Sequence, residues 1–198
     1  MTWTIGSTVT LTIESTVTLN NDVKMPRLGI GTWQISDGRP VRRTLAGAFE
    51  AGYRHVDTAA MYGNERGVGQ AIRESEIPRE EIFVTTKLWN SDHGYDNALR
   101  AFDESLQRLG LEYVDLYLIH WPVPGTREET WRALERIYEE GRARAIGVSN
   151  YTLRHLEDLF TTANVAPAVN QVEFHPWLYQ KDLLDYCNEH DIVLEAYS

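Results

Sequence analysis

Apolar and polar residues alternate through the opening of the chain, as in TVTLTIESTVTLNND from Thr8 to Asp22. A period of two is the mark of a β-strand with one face covered, and NND is turn chemistry, so the pattern predicts one or two hairpins before residue 27. The string STVTL occurs at Ser7–Leu11 and again at Ser15–Leu19. Two copies of five residues are too few for a repeat protein.

From Leu28 the pattern changes and then holds. Short runs rich in β-branched residues recur as LGIGTW, RHVDTA, IFVTTKLW, VDLYLIHW, RAIGVSN, VNQVEFHP and IVLEAYS. Between them the apolar positions are spaced by three, four or seven, the period of a helix with one buried face. Val41, Leu45 and Phe49 mark the first such segment, and Val68 with Ile72 the second. Ala98, Phe102, Leu106 and Leu109 mark the third, followed by Trp131, Leu134 and Tyr138, then Leu153, Leu156 and Phe160, then Leu183, Leu184 and Cys187. Gly52, Gly110 and Gly141 stand where three of these helices should stop.

Strand and helix alternating at roughly 25–30 residues per unit is the rhythm of a parallel sheet. Seven units with no reordering cue predict an α/β chain of the (β/α)8 TIM-barrel class, here covering seven of the eight strands. The organisation expected is an N-terminal hairpin segment over 1–27 and a single barrel domain over 28–198.

Composition adds boundaries. Hydrophobic content of 42% and charged content of 24% are ordinary for a globular chain. A formal net charge of −10 argues against a nucleic-acid or anionic-membrane partner, though not against a phosphorylated ligand at a local site. Cys187 is the single cysteine, which excludes an internal disulfide. No apolar run reaches the length of a membrane span, and the N-terminus lacks the form of a signal peptide, so the expected location is the cytoplasm.

Barrels of this class carry their chemistry at the C-terminal ends of the strands. Those ends read Trp33, Asp57, Lys87, His120, Asn150, Glu173 to His175, and Tyr197, with Tyr62 just beyond the second. Singly, each has an ordinary explanation: Asp57 as a turn residue, Lys87 and Tyr62 as rim groups, His120 as a core imidazole bonded to a carbonyl. Jointly they bring a carboxylate, a phenol, an ammonium and an imidazole toward one mouth. A free tyrosine titrates near 10, too high to exchange protons readily at neutrality. A neighbouring Lys87 ammonium should lower the Tyr62 phenol, with Asp57 holding the lysine charged and His120 polarising a carbonyl oxygen. Such a set suits proton donation to an aldehyde or ketone oxygen, and needs a hydride from elsewhere.

The motifs GYRHVDTAAMYGNE, TTKLW, LIHWP, GVSN, VNQVEFHP and EAYS, six in order from about Met25 onward, resemble those of the aldo-keto reductase family. The resemblance implies an NADP(H)-dependent reductase of small carbonyl substrates, with Asp57, Tyr62, Lys87 and His120 as catalytic tetrad and Tyr62 as proton donor. It implies cofactor contacts from Thr32, Asp57, Ser149, Asn150, Gln171, Tyr197 and Ser198. Trp33, Trp89 and Trp121, with His120, would line the substrate pocket, although Trp89 also fits core packing. GNERGVG lacks the spacing of a dinucleotide fingerprint and reads as a packing device. Cys187 and His190 at C-x-x-H lack further ligands for a metal, and His93 reads as a loop or helix-start residue.

The family pattern continues past Ser198 with helix seven, strand eight, helix eight and a closing loop, which carry the site for the adenosine 2′-phosphate. Three readings follow. The chain is part of a carbonyl reductase, monomeric when completed; or a shortened relative that binds or pairs through its open strand edges and is catalytically weak; or a barrel lyase using Lys87 as a Schiff base.

Overall fold

The computed structural model describes residues 11–197. Most of the first STVTL copy and the Ser198 contact lie outside the described residues. The second copy forms the predicted hairpin: β1 (Thr16–Thr18) pairs antiparallel with β2 (Lys24–Pro26), and the NND turn joins them.

Seven parallel strands follow in sequence order, one from each of the seven apolar runs: β3 (Ile30–Gly31), β4 (His55–Asp57), β5 (Phe83–Leu88), β6 (Val114–Ile119), β7 (Ala143–Ser149), β8 (Val169–Glu173) and β9 (Val193–Tyr197). Each neighbour in the sheet is the neighbour in sequence, the order a barrel requires. Six helices make the crossovers: α1 (Arg39–Glu50), α2 (Glu65–Glu74), α3 (Tyr95–Leu109), α4 (Arg127–Glu139), α5 (Leu153–Phe160) and α6 (Lys181–Glu189). The periodic apolar positions are their buried faces; Val41, Leu45 and Phe49 of α1 are all in the core. Gly110 ends α3 in the left-handed region at φ 64°, where a Cβ would cost energy. Gly69, within GNERGVG, packs α2 directly against α3, since a Cβ there would lie 1.7 Å from the Leu109 carbonyl oxygen.

Alternation along the strands divides the core in two. Val56, Val84, Tyr117, Ile146 and Val148 point outward to the helices. Phe83, Leu116, Leu118, Ala145 and Val169 point inward and are plugged from below by Leu19 and Met25 of the hairpin. Continuing the inward parity upward gives His55 and Asp57 on β4, Thr85 and Lys87 on β5, His120 after β6, Ser149 on β7, Gln171 on β8, and Glu195 and Tyr197 on β9. The apolar floor of the sheet therefore turns polar toward its C-terminal end. Among the described residues β3 and β9 are the two outer strands of this sheet.

Candidate active site

Asp57 is the last residue of β4 and Lys87 the last but one of β5, on adjacent parallel strands. Their inward side chains meet: the Lys87 ammonium donates to Asp57 Oδ1 and, at 3.1 Å, to the Thr58 carbonyl. Lys87 is 1% exposed, so this is a buried ion pair. Burial alone would depress the ammonium. Burial is the largest single influence, but the field and hydrogen bond of Asp57 together with the fields of Tyr62 and Glu195 outweigh it and hold Lys87 protonated above its ordinary range.

After β4 the chain turns through a short 3-10 segment, Ala60–Tyr62, that brings the phenol ring back over the strand ends. The Lys87 Nζ lies 5.2 Å from the Tyr62 ring centre. Tyr62 is half-buried rather than exposed. Lys87 acts on the phenol in the expected direction, lowering its pKa, but it does not set the net sign. Burial raises the phenol, Lys87 opposes it, Asp57 adds to the rise, and the balance stays above the ordinary value. Tyr62 is thereby held protonated at neutral pH.

His120 follows β6 and packs edge-on to Tyr62, with ring centres 5.7 Å apart, and to Trp89, at 5.3 Å. Burial, with Lys87 nearby, lowers the imidazole to about 4, so the ring is neutral and keeps a single N–H. Its Nδ1 is buried without a partner among the described residues.

The expected cofactor contacts gather beside this group. Gln171 donates from its amide nitrogen to Asp57 Oδ2 at 2.8 Å and to Glu195 Oε2 at 3.0 Å. Two carboxylates thus fix the amide's orientation and leave its Oε1 as an acceptor. The Ser149 hydroxyl donates to the Gln171 carbonyl at 2.9 Å. Asn150, at φ 63°, donates to the His120 carbonyl and Ser149 Oγ, and accepts from the Tyr197 hydroxyl at 2.6 Å. The Tyr197 ring is 37% exposed. Thr32 is fully buried and its hydroxyl donates to the Asp57 carbonyl, so its influence runs through Asp57. Trp33 and Trp121 stand exposed at the rim, while Trp89 is half-buried against His120.

Two participants carry no assignment in the sequence reading. Asn64, fully buried, donates to the Thr32 and Ile35 carbonyls at 2.8 and 2.9 Å and accepts from the Thr58 hydroxyl at 2.8 Å. It ties the loops after β3 and β4 together and so sets where Asp57 and Tyr62 sit. Glu195 lies two residues before Tyr197 on the same inward face; that parity was the available signal. His93, read as a loop or helix-start residue, precedes α3 but is buried, and burial lowers its imidazole to about 4.

The profile described as "Aldo/keto reductase family" matches residues 27–198. The chain is 55% identical over 182 residues to a 9,11-endoperoxide prostaglandin H2 reductase of Trypanosoma cruzi, covering 92% of this chain and 64% of the relative. It is 52% identical over 186 residues to a glyoxal reductase of Bacillus subtilis, covering 94% and 67%. The chain thus spans about two thirds of the length of the curated relatives it matches. An aldo/keto reductase from Brucella melitensis superposes with a TM-score of 0.90 at 51% identity, over 92% of this chain and 72% of the other. A Bombyx mori aldo-keto reductase solved in complex with NADP gives 0.88 at 38% identity, over 95% and 67%. Strand order, inward residues and relatives lead to one assignment: the chain belongs to the aldo/keto reductase family.

Proposed function

We propose that the protein reduces aldehyde or ketone groups of small molecules with NADP(H), Tyr62 delivering the proton. The observation that carries this reading is the buried Asp57–Lys87 pair beneath a protonated Tyr62, with a neutral His120 at its edge.

The residues suit a nicotinamide. Gln171 presents a free Oε1, an acceptor for a carboxamide N–H, because its nitrogen is committed to Asp57 and Glu195. Tyr197 offers an exposed π-face beside it. NADP(H), when bound, supplies the hydride. The neutral His120 ring would donate its N–H to the substrate carbonyl oxygen and orient it toward the phenol. Tyr62 would pass its proton to that oxygen, and the Lys87 ammonium, anchored by Asp57, would stabilise the phenolate left behind. Trp33, Trp89 and Trp121 would surround an apolar substrate body. Lys87, held protonated, is poorly suited to act as an amine nucleophile, which weighs against Schiff-base chemistry.

The similar enzymes are described by different activities, so the proposal is confined to the class of small carbonyl compounds. The test is aldehyde-dependent loss of NADPH absorbance, wild type against Tyr62→Phe. Loss of turnover with retained cofactor binding is expected, and near-normal turnover in the variant would refute the assignment.

A further inference from the structure

Beneath the tetrad lies a second carboxylate that the reduction scheme uses only to hold Gln171. Glu195 on β9 has a side chain 17% exposed and faces the barrel interior. It accepts the Gln171 amide N–H at 3.0 Å, while the same nitrogen donates to Asp57 at 2.8 Å. On its other side His55 Nε2 lies 4.0 Å away, and that nitrogen also contacts the Thr85 hydroxyl at 2.9 Å. The His55 ring is 1% exposed and fills the space over Gly29, where a Cβ would come within 2.9 Å of it. One connected line of side chains therefore runs from His55 through Glu195, Gln171, Asp57 and Lys87 to the ring of Tyr62.

We propose that Glu195 is a positioning residue for the proton-transfer step, holding Gln171 and the Asp57–Lys87 pair in register and setting, by its charge, the acidity of Tyr62. The inference rests on the reductase reading for its meaning but not for its measurement. The groups facing Glu195 can be named from every strand around it. His55 and Asp57 come from β4, Lys87 from β5 and Gln171 from β8, while β6 carries Leu116 and Leu118 inward, β7 Ala145, and β3 only Gly31, none of them titratable. With both carboxylates ionised, one Lys87 ammonium faces two negative charges. Burial pushes the Glu195 carboxyl up, His55 pulls it back and Asp57 adds to the rise. Its ionised form in turn strengthens the hold on Lys87.

The chemistry fixes the direction. An ionised Glu195 offsets part of the positive potential that Lys87 exerts on the phenol, and so favours protonated Tyr62. Neutralising it leaves Lys87 less compensated, and the phenolate becomes easier to form. Gln171 links the two carboxylates: its amide nitrogen bridges Glu195 and Asp57, so a change at Glu195 is passed to the pair that holds Lys87.

The test follows Tyr62 directly in protein labelled with 13C at tyrosine Cζ, its resonance assigned by absence in Tyr62→Phe. In Glu195→Gln the Tyr62 midpoint should fall by about half a pH unit or more, the effect reaching the phenol through the less compensated Lys87. In Glu195→Asp, which keeps the charge, it should stay near the wild-type value. The limb of the kcat profile for alcohol oxidation should move with it, with KM little altered. An unchanged Tyr62 midpoint in folded Glu195→Gln, or an equal fall in Glu195→Asp, would overturn the proposal. Should Glu195→Gln fail to fold, the wild type decides. Tyr62 Cζ must show an inflection at the pH where the Glu195 carboxyl titrates, and its absence would overturn the coupling. Retained reduction by Tyr62→Phe, alongside a shifted midpoint in Glu195→Gln, would reject the proposed function while leaving this linkage standing.

Discussion

Replacing Asp57 with Asn removes one charge from the most deeply buried ion pair of the site while keeping its shape. Lys87 is 1% exposed, so the variant leaves an ammonium in the interior without its main partner. Breaking a buried pair from one side costs about 3–5 kcal/mol. The low end applies here, because Lys87 keeps its 3.1 Å bond to the Thr58 carbonyl and the field of Glu195. A loss of about 3 kcal/mol at pH 7 is expected. The pH dependence separates this cause from a packing defect. In the wild type the folded ammonium titrates above its unfolded value of about 10.4, so the pair's contribution is fully present below that pH and disappears only above it. In D57N burial dominates, and the folded ammonium falls below the unfolded one. The unfolded state then binds more protons between the two values, and the variant gains stability as pH rises through that window. Urea unfolding of both proteins from pH 6 to 10 should show a deficit that is largest at neutral pH and shrinks on the alkaline side. A deficit under about 1 kcal/mol at pH 7, or one that stays constant to pH 10, would refute the description of Lys87 as a buried cation held by Asp57.

Tyr62→Phe should lower the rate of carbonyl reduction at least ~100-fold with NADPH binding retained, measured by turnover and fluorescence titration. Borohydride added with an aldehyde substrate should leave Lys87 unmodified by mass spectrometry, because the amine is held protonated. Gly47→Ala, inside α1 with open space where the Cβ would go, should raise stability by about 0.5–1 kcal/mol; Gly69→Ala, in α2, should lower it, since its Cβ would lie 1.7 Å from a backbone oxygen. Thermal or urea melts that showed both helix glycines responding alike would contradict the α2–α3 contact. His93 and His120 are both held near 4 in the fold against about 6.5 unfolded, so stability should fall as pH drops from 6.5 to 4, by on the order of 1–2 kcal/mol for each once solvent screening is allowed for. His93→Leu should remove about half of that slope in acid unfolding curves.

How much of this was legible in the chain depends on which physical rule each residue obeys. Parallel strands buried on both faces, as β5 and β6 are along their whole length, appear as runs rich in apolar and β-branched residues. The outer strands β3 and β9 were readable from the same composition although they are partly exposed. Helix faces were readable from spacing, and so were the strand-end positions of Asp57, Lys87 and His120. Asn64 was not, because its work is done by hydrogen bonds to carbonyls of two loops distant in sequence, and an Asn before a helix looks like an ordinary cap. Glu195 was missed for a different reason. It lies within an apolar run, where a single acid suggests an exposed position. Only the parity shared with Tyr197, together with the inward parity of the whole sheet, turns it toward Gln171.

The net acidity of Tyr62 shows where local reasoning fails even when each contribution has the right sign. A phenol beside an ammonium should ionise more easily, and Lys87 does act in that direction. The same fold that brings the lysine near also withdraws the phenol from water, and it surrounds that lysine with Asp57 and Glu195. Lys87 therefore acts on Tyr62 as a partly neutralised cation, and burial prevails. The outcome suits a donor better than a base. A phenol that keeps its proton at neutral pH has one to give when negative charge develops on a carbonyl oxygen, and the ammonium beneath stabilises the phenolate at that moment. In the reverse direction the phenolate would have to exist beforehand, which calls for higher pH. The geometry accordingly predicts that reduction persists through neutral pH, while alcohol oxidation by the same protein rises toward alkaline pH. Parallel pH profiles for the two directions would show that Tyr62 is not the group whose proton is being moved.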